Sequence, residues 1–373
     1  MQVKPYIVIM AGGIGSRFWP YSRNDRPKQF LDILGTGRTL LQMTYDRFQE
    51  ISSPDKFYVV TNQQYFDLVK EQLPEISDNQ ILTEPLRRNT ATCIAYAVYK
   101  INAIDPKATL VVAPADHLIT QESKFHAAID QACHAAQTEG RLITMGIQPN
   151  RPETGYGYIQ YLEQEGQEIF KVKTFTEKPN LKLAKTFLES GDFVWNSGMF
   201  IWKVSSIISA YEKYMPDVSE VFNEGVEFLG KENEQEFITK AYSLLKNISI
   251  DNGIMEHSDQ VYVIPATFGW SDLGSWNSLH DLKKKDKKNN VVEGNAILYD
   301  TENSYVKVSS DKLVVVQGLD NYLINESDNV ILICKLDAEK KFREFVANAK
   351  RKGRTLFDLP YESYLFVRCL IAS

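Results

Sequence analysis

Ile7-Val8-Ile9-Met10-Ala11-Gly12-Gly13-Ile14-Gly15-Ser16-Arg17-Phe18-Trp19-Pro20 decides how this chain is read. The stretch opens with a short, unbroken apolar run that stops at two glycines. A run without polar alternation is the pattern of a strand buried on both faces, as in parallel sheets. Similar runs recur at residues 56–61 and 109–113, and more weakly at 141–146. Between them, apolar residues fall at helical spacing over 40–50, 62–73, 90–104 and 122–137. Strands alternating with amphipathic helices imply βαβ units, and right-handed crossovers put helices on both faces of the sheet. The expected fold class is α/β, a doubly wound and mostly parallel sheet.

From Gly155 the pattern changes. Residues 155–161 and 172–179 read as strands of an antiparallel extension, and a helical region follows Lys203 to about residue 245. Lys283-Lys284-Lys285-Asp286-Lys287-Lys288-Asn289-Asn290 is the sharpest shift in composition. It reads as a solvated helix end running into a linker, with a phosphate patch as the alternative. Residues 291–335 are rich in β-branched and aromatic side chains, with turn signals at Asp320-Asn321 and Ser327-Asp328-Asn329. They predict a small C-terminal β domain closed by a helix over 338–352. The expected division is 1–288 and 289–373.

The 373 residues carry 42 Lys plus Arg against 48 Asp plus Glu, a net charge of −6. A mildly acidic chain without a basic block argues against nucleic acid as a partner. Anionic small molecules stay open, since a few local cations suffice to bind them. Cys93, Cys133, Cys334 and Cys369 are widely spaced and form no C-x-x-C pair, so neither a zinc nor a redox motif is supported. They read as reduced, buried thiols. No apolar run approaches the roughly 20 residues that cross a bilayer, and the run at 7–11 is too short for a signal segment. The expectation is a cytoplasmic protein with no membrane partner.

Glycines at 12, 13 and 15 let the backbone turn sharply and present its N–H groups to an anion. Arg17 adds a forked cation for phosphate oxygens. A dinucleotide fingerprint needs a third glycine where Phe18 stands, and a P-loop needs a closing Gly-Lys-Ser/Thr that is absent. A glycine turn without a ligand is the plain alternative. Lys28, in Arg26-Pro27-Lys28-Gln29-Phe30, is either a compact charge for phosphate or an ordinary surface lysine. Asp116 follows the 109–113 strand, at the carboxyl end where open α/β sheets bind ligands. Asp272 lies in a Gly/Ser-flanked turn. Two converging carboxylates would be hard ligands for Mg²⁺, although either alone could be a turn former or helix cap. His117 is open to an acid/base role, to orienting Asp116, or to packing. Asn89 or Thr90 is a good N-cap for the following helix.

The run Gly12-Gly13-x-Gly15-Ser16-Arg17-Phe18-Trp19-Pro20, followed by Arg26-Pro27-Lys28-Gln29-Phe30, resembles the signature of the sugar-1-phosphate nucleotidylyltransferases. Phe18-Trp19-Pro20 and Lys28-Gln29-Phe30 are similar to the mannose-1-phosphate guanylyltransferase branch. Further matches are Glu84-Pro85, Arg88-Asn89-Thr90, Pro114-Ala115-Asp116-His117, Gly155-Tyr156-Gly157-Tyr158-Ile159, Glu177-Lys178-Pro179, Trp195-Asn196-Ser197-Gly198-Met199-Phe200 and Gly269 to Trp276. The resemblance implies the Rossmann-like fold of nucleotide-diphospho-sugar transferases, without the phosphomannose-isomerase extension of bifunctional members. It implies GTP and mannose 1-phosphate as substrates and GDP-mannose and pyrophosphate as products. Arg17, Lys28 and Asp116 would be catalytic. Ala11, Gly12, Gly13, Gly15, Ser16, Glu84, Asn89 and Thr90 would bind the nucleotide. Gly157, Glu177, Lys178 and Asn196 would hold the sugar phosphate, and Asp116 with Asp272 would hold Mg²⁺. Another sugar, as in a GDP-heptose-forming enzyme, and a non-catalytic nucleotide-sugar-binding relative are the alternatives. A homodimer joined through the β domain is expected.

Overall fold

The structure, a computed structural model, describes residues 4–13, 15–327 and 330–352. The expected thiol of Cys369 and the rest of the chain past 352 lie outside the described residues. Two compact units form: the described residues up to Gly12 with Leu40–Trp270, and Gly13–Thr39 with the described residues from Ser271 onward. This grouping differs from a single cut at 288/289. The glycine-rich segment packs with the C-terminal part, for example through Phe18 against Trp276, with ring centroids 5.1 Å apart.

In the first unit, strand β1 (Tyr6–Met10) pairs in parallel with β2 (Phe57–Asn62) and with β4 (Thr109–Pro114), and β2 pairs with β3 (Ile81–Glu84). Flanked on both edges and covered on both faces, Ile7, Val8 and Ile9 are fully buried, which is why the run shows no alternation. The two-residue strand β5 (Leu118–Ile119) follows. Strands β6 (Leu142–Ile147), β7 (Tyr158–Leu162), β8 (Phe170–Thr176), β9 (Phe193–Lys203) and β10 (Val261–Ala266) complete a nine-stranded sheet of order β3-β2-β1-β4-β9-β6-β10-β8-β7. Strand β9 runs against β4 and β6, and β8 runs against β10 and β7. The remaining strands share one direction, so the mostly parallel sheet expected from the sequence is present. The expected antiparallel extension is the β7–β8 pair.

Helices Leu40–Gln49, Phe66–Gln72, Asn89–Ile104 and Glu122–Glu139 occupy the positions read from spacing. The second begins late because Gln63–Tyr65 first makes a 3-10 turn, its start held by Asn62 Oδ1 accepting the Gln64 N–H. The 204–245 region is three helices, Val204–Tyr214, Pro216–Glu224 and Glu234–Leu244, with Pro216 opening the second. Among the described residues no helix is long and apolar enough to cross a membrane.

In the second unit, after the short strand β11 (Trp270–Ser271), helix Trp276–Leu282 starts at Ser275, whose Oγ accepts the Ser278 N–H at 3.0 Å. Strands β12 (Val291–Glu293), β14 (Tyr305–Lys307) and β16 (Tyr322–Ser327) stack in parallel, and β17 (Val330–Lys335) joins antiparallel to β16. Strands β13 (Ala296–Tyr299) and β15 (Val314–Gln317) make a second parallel ladder. Val306, Val308, Val316 and Ile324 fill the interior of this small β unit, and helix Glu339–Lys352 follows it. The lysine-rich segment follows the end of helix Trp276–Leu282 and is exposed at most of its positions, as a solvated helix end requires, yet it is tied down at particular residues. Lys283 Nζ donates to the Leu34 carbonyl at 2.7 Å and meets Glu293 at 2.6 Å, while Asp286 Oδ1 accepts the N–H groups of Lys288 and Asn290, both at 2.8 Å.

Candidate active site

The glycine-rich loop and the lysine segment meet at one point of the second unit. Gly15 has φ +62°, and a Cβ there would collide with Lys28 Cβ and stand 3.1 Å from the Lys28 nitrogen. Only glycine permits both the left-handed turn and this approach. Gln29 Nε2 donates to the Gly13 carbonyl at 2.9 Å, and Ser22 Oγ donates to the Gly15 carbonyl at 2.6 Å, so the loop is tied at two carbonyls. Lys28 is 3% exposed, which overturns the surface-lysine reading. Its ammonium donates to the Asp272 carbonyl at 2.7 Å and lies 5.7 Å from the centre of the buried Phe18 ring. Arg17, exposed, donates through Nη1 to the Gly274 carbonyl at 3.2 Å. Both cations are thus fixed to the same turn, from a segment more than 240 residues away. Within that turn Asp272 Oδ1 accepts the Gly274 N–H at 2.9 Å, so its turn-forming role is real.

The first unit carries the other candidates. Ala11 leaves β1 with its N–H donated to the Val60 carbonyl at 2.8 Å and its carbonyl accepting from Thr61 Oγ1 at 2.9 Å. Glu84, at the end of β3, is buried, and its Oε2 would stand 3.2 Å from a Cβ on Gly12. The Tyr242 hydroxyl donates to Glu84 Oε1 at 3.1 Å. Burial outweighs that bond and the nearby Arg87 charge, pushing the Glu84 carboxyl up to about 7. The N-cap expectation for Asn89 or Thr90 is not met. The cap position belongs to Arg88, which makes no side-chain cap bond, and Thr90 Oγ1 instead accepts the Ile250 N–H at 2.9 Å. Asn89, at φ 65°, accepts the Thr90 N–H at 2.9 Å.

Asp116 follows β4 where the sequence puts it, its side chain 36% exposed and 4.0 Å from His117 Nε2. The Trp270 indole N–H donates to His117 Nδ1 at 3.1 Å. An acceptor at Nδ1 leaves the neutral ring's proton on Nε2, the nitrogen facing Asp116. At 4.0 Å the two side chains are neighbours and not hydrogen-bonded, and the indole contact fixes the ring beside Asp116. Buried Arg47 reaches the His117 carbonyl at 3.4 Å, and desolvation lowers its guanidinium to about 10.

Gly157, Glu177, Lys178 and Asn196 come together. A Cβ on Gly157 would lie 2.7 Å from Glu177 Oε2 and 3.3 Å from Asn196 Cβ, so glycine opens the space these two occupy. The Gly157 carbonyl accepts the Asn196 N–H at 2.8 Å, and Lys178 pairs with Glu177 Oε1. Asp251 belongs to this cluster and has no motif to announce it. Asn196 Nδ2 donates to Asp251 Oδ1 at 2.9 Å. Burial first, and the Glu177 charge second, push the Asp251 carboxyl up to about 7. In the sequence, Asp251-Asn252-Gly253 reads as a turn; the signal that could have found it is an acid between Ile250 and Ile254, both fully buried. Among the described residues no group of three or more His, Cys, Asp and Glu is gathered for a metal. Mg²⁺ needs no such cage, since it keeps several waters and takes one or two hard carboxylates, and Asp116 and Asp272 are each oxygen donors of that chemistry.

Residues 6–289 match the Nucleotidyl transferase family. A mannose-1-phosphate guanylyltransferase of Salmonella muenchen is 37% identical over 93% of this chain and 74% of its own length. A solved structure described as mannose-1-phosphate geranyltransferase from Thermus thermophilus is 30% identical, with a TM-score of 0.82 over 93% of this chain and 100% of that one. Another, described as mannose-6-phosphate isomerase from Helicobacter pylori, is 28% identical, with a TM-score of 0.59 over 72% of this chain and 100% of that one. A glycine turn packed on a buried lysine, a nine-stranded sheet of this order, a family match over residues 6–289 and kinship over nine-tenths of the length lead to one conclusion: the chain belongs to the nucleotidyl transferase family, with the mannose-1-phosphate guanylyltransferases among its relatives.

Proposed function

We propose that this enzyme joins GTP and mannose 1-phosphate to give GDP-mannose and pyrophosphate. The observation that carries the reading is the buried Lys28, held against the Gly15 turn and bonded to the Asp272 carbonyl at 2.7 Å. A buried ammonium packed against a glycine-rich loop is suited to an anion as large as a triphosphate, and the names of the relatives supply the base and the sugar.

An oxygen of the sugar phosphate attacks the α-phosphorus of GTP, a new P–O bond forms, and the bond to the β-phosphate oxygen breaks as pyrophosphate leaves with the electron pair. That attacking oxygen is already ionised near pH 7, so no general base is required. The protein's task is alignment and charge neutralisation. Arg17 and Lys28 offset the charge that builds on the departing pyrophosphate, and the backbone N–H groups of Gly12, Gly13, Gly15 and Ser16 cradle the phosphates. Glu84, Asn89 and Thr90 serve the nucleoside, while Gly157, Glu177, Lys178 and Asn196 take the sugar phosphate. Asp116 and Asp272 keep their assignment as carboxylates for magnesium. When bound, the ion neutralises phosphate charge and favours the in-line geometry.

The test is a panel in which GTP, ATP, UTP and dTTP are each paired with mannose 1-phosphate and glucose 1-phosphate. Pyrophosphate release should be fastest for GTP with mannose 1-phosphate. A faster rate for another pair would reassign the base or the sugar, and interconversion of mannose 6-phosphate and fructose 6-phosphate in place of pyrophosphate release would overturn the reading.

A further inference from the structure

We propose that Asp251 is a positioning residue for the sugar phosphate, acting through the side-chain amide of Asn196; this rests on the substrate assignment above. The amide of Asn196 has two ends that differ in what they demand. Oδ1 accepts from the Gly198 N–H at 3.2 Å and from Thr144 Oγ1 at 2.9 Å, and Nδ2 donates to Asp251 Oδ1 at 2.9 Å. The Thr144 hydroxyl can donate or accept, so it does not choose between the two orientations. The Gly198 N–H can only donate, so Asn196 Oδ1 lies at its end of the amide and Nδ2 at the other. Asp251 Oδ1 then supplies the acceptor that Nδ2 needs, and the two partners at opposite ends hold the face Asn196 presents.

Asp251 is also placed where the choice matters. Asn196 stands beside Glu177 at the opening left by Gly157, with its own N–H held by the Gly157 carbonyl at 2.8 Å. A sugar carries hydroxyls that donate and accept in fixed directions, and a flipped amide would offer a donor where an acceptor is needed, or the reverse. Burying an acid beside the Glu177 carboxylate is costly, and a site needing only bulk would be met by an apolar side chain. Asp251 bonds to a residue of the sugar-phosphate cluster, so its effect should fall on the sugar more than on the nucleotide.

The experiment is steady-state kinetics on Asp251→Ala, Asp251→Asn, Asn196→Ala and the double variant Asn196→Ala with Asp251→Ala, each checked for an unchanged thermal transition. Asp251→Ala should raise KM for mannose 1-phosphate about tenfold while KM for GTP moves less than about twofold. Asp251→Asn should recover part of the loss, because its carboxamide oxygen still accepts from Asn196 Nδ2. The double variant should bind mannose 1-phosphate no worse than Asn196→Ala alone, as expected when one residue acts through the other. Should Asp251→Ala fail to fold, the same cycle is run with Asp251→Asn. Equal shifts in both KM values, an unchanged KM for mannose 1-phosphate, or additive effects in the cycle would overturn the proposal. A wild-type enzyme that makes no GDP-mannose would instead strike the substrate assignment.

Discussion

Gly15→Ala is the smallest change that reaches the proposed phosphate loop. At φ +62° an alanine pays the left-handed penalty, about 1–2 kcal/mol. The new methyl also overlaps Lys28 Cβ and comes 3.1 Å from the Lys28 nitrogen, where carbon atoms ordinarily settle at about 3.5–4.0 Å. Both contacts are with atoms near the backbone, so Lys28 cannot step aside by rotating its far end. Forcing extra volume into a packed site adds about 1–3 kcal/mol. Together these give a loss of stability on the order of 2–5 kcal/mol. The functional loss follows from geometry, because moving Lys28 by about 1 Å misplaces a charge meant for the transition state and should cost about a hundredfold in kcat. Urea denaturation and steady-state turnover measure the two effects separately. Gly13→Ala is the stability control, because the added methyl meets nothing within 4 Å there. A Gly15→Ala enzyme as stable and as fast as the wild type would refute the packing of the loop on Lys28.

Three further outcomes follow from the same geometry. Lys28→Ala should lower kcat about a hundredfold, a loss on the order of 3 kcal/mol, with a smaller change in KM for GTP; wild-type turnover would remove the residue from the chemistry. Asp116→Asn and Asp272→Asn should fold normally by circular dichroism yet lose most of their turnover at saturating Mg²⁺, because an amide does not replace an anionic oxygen. Near-normal rates in either variant would remove that residue from the metal assignment. Glu84, raised from 4.5 to about 7, predicts a pH-dependent stability. Between those values the native state holds a proton that the unfolded chain has lost, so stability falls as pH rises through the window, by on the order of 3 kcal/mol in all. Chemical denaturation at pH 5 and pH 7.5 should show that fall, and Glu84→Gln should flatten it; an equal slope in the variant would contradict the assignment.

The strands that read clearly in the sequence are those with no polar interruption. Ile7–Ala11 announces itself because both faces of β1 are covered, and the helices between the first strands keep an apolar spacing. Strand β9 is equally buried but carries Asn196, Ser197 and Gly198 in mid-course, so its place between β4 and β6 was not legible as an apolar run. The site divides in the same way. Gly15 and Lys28 were legible because a turn and a charge at fixed spacing leave a local mark. Asp251 was not, since its role depends on an amide 55 residues earlier in the chain, and only the fold brings the two together. The failed cap at Asn89 has a similar cause: Thr90 is engaged by Ile250, a tertiary contact that local propensity does not register.

The most direct measurement follows label from GTP. The enzyme is incubated with mannose 1-phosphate, Mg²⁺ and GTP labelled with ³²P at either the α or the γ position, and the products are separated. Attack at the α-phosphorus predicts that the α label appears in GDP-mannose and the γ label in pyrophosphate, in equal amounts. Transfer of the γ label to the sugar, or no labelled sugar nucleotide at all, would contradict guanylyl transfer as the activity of this chain.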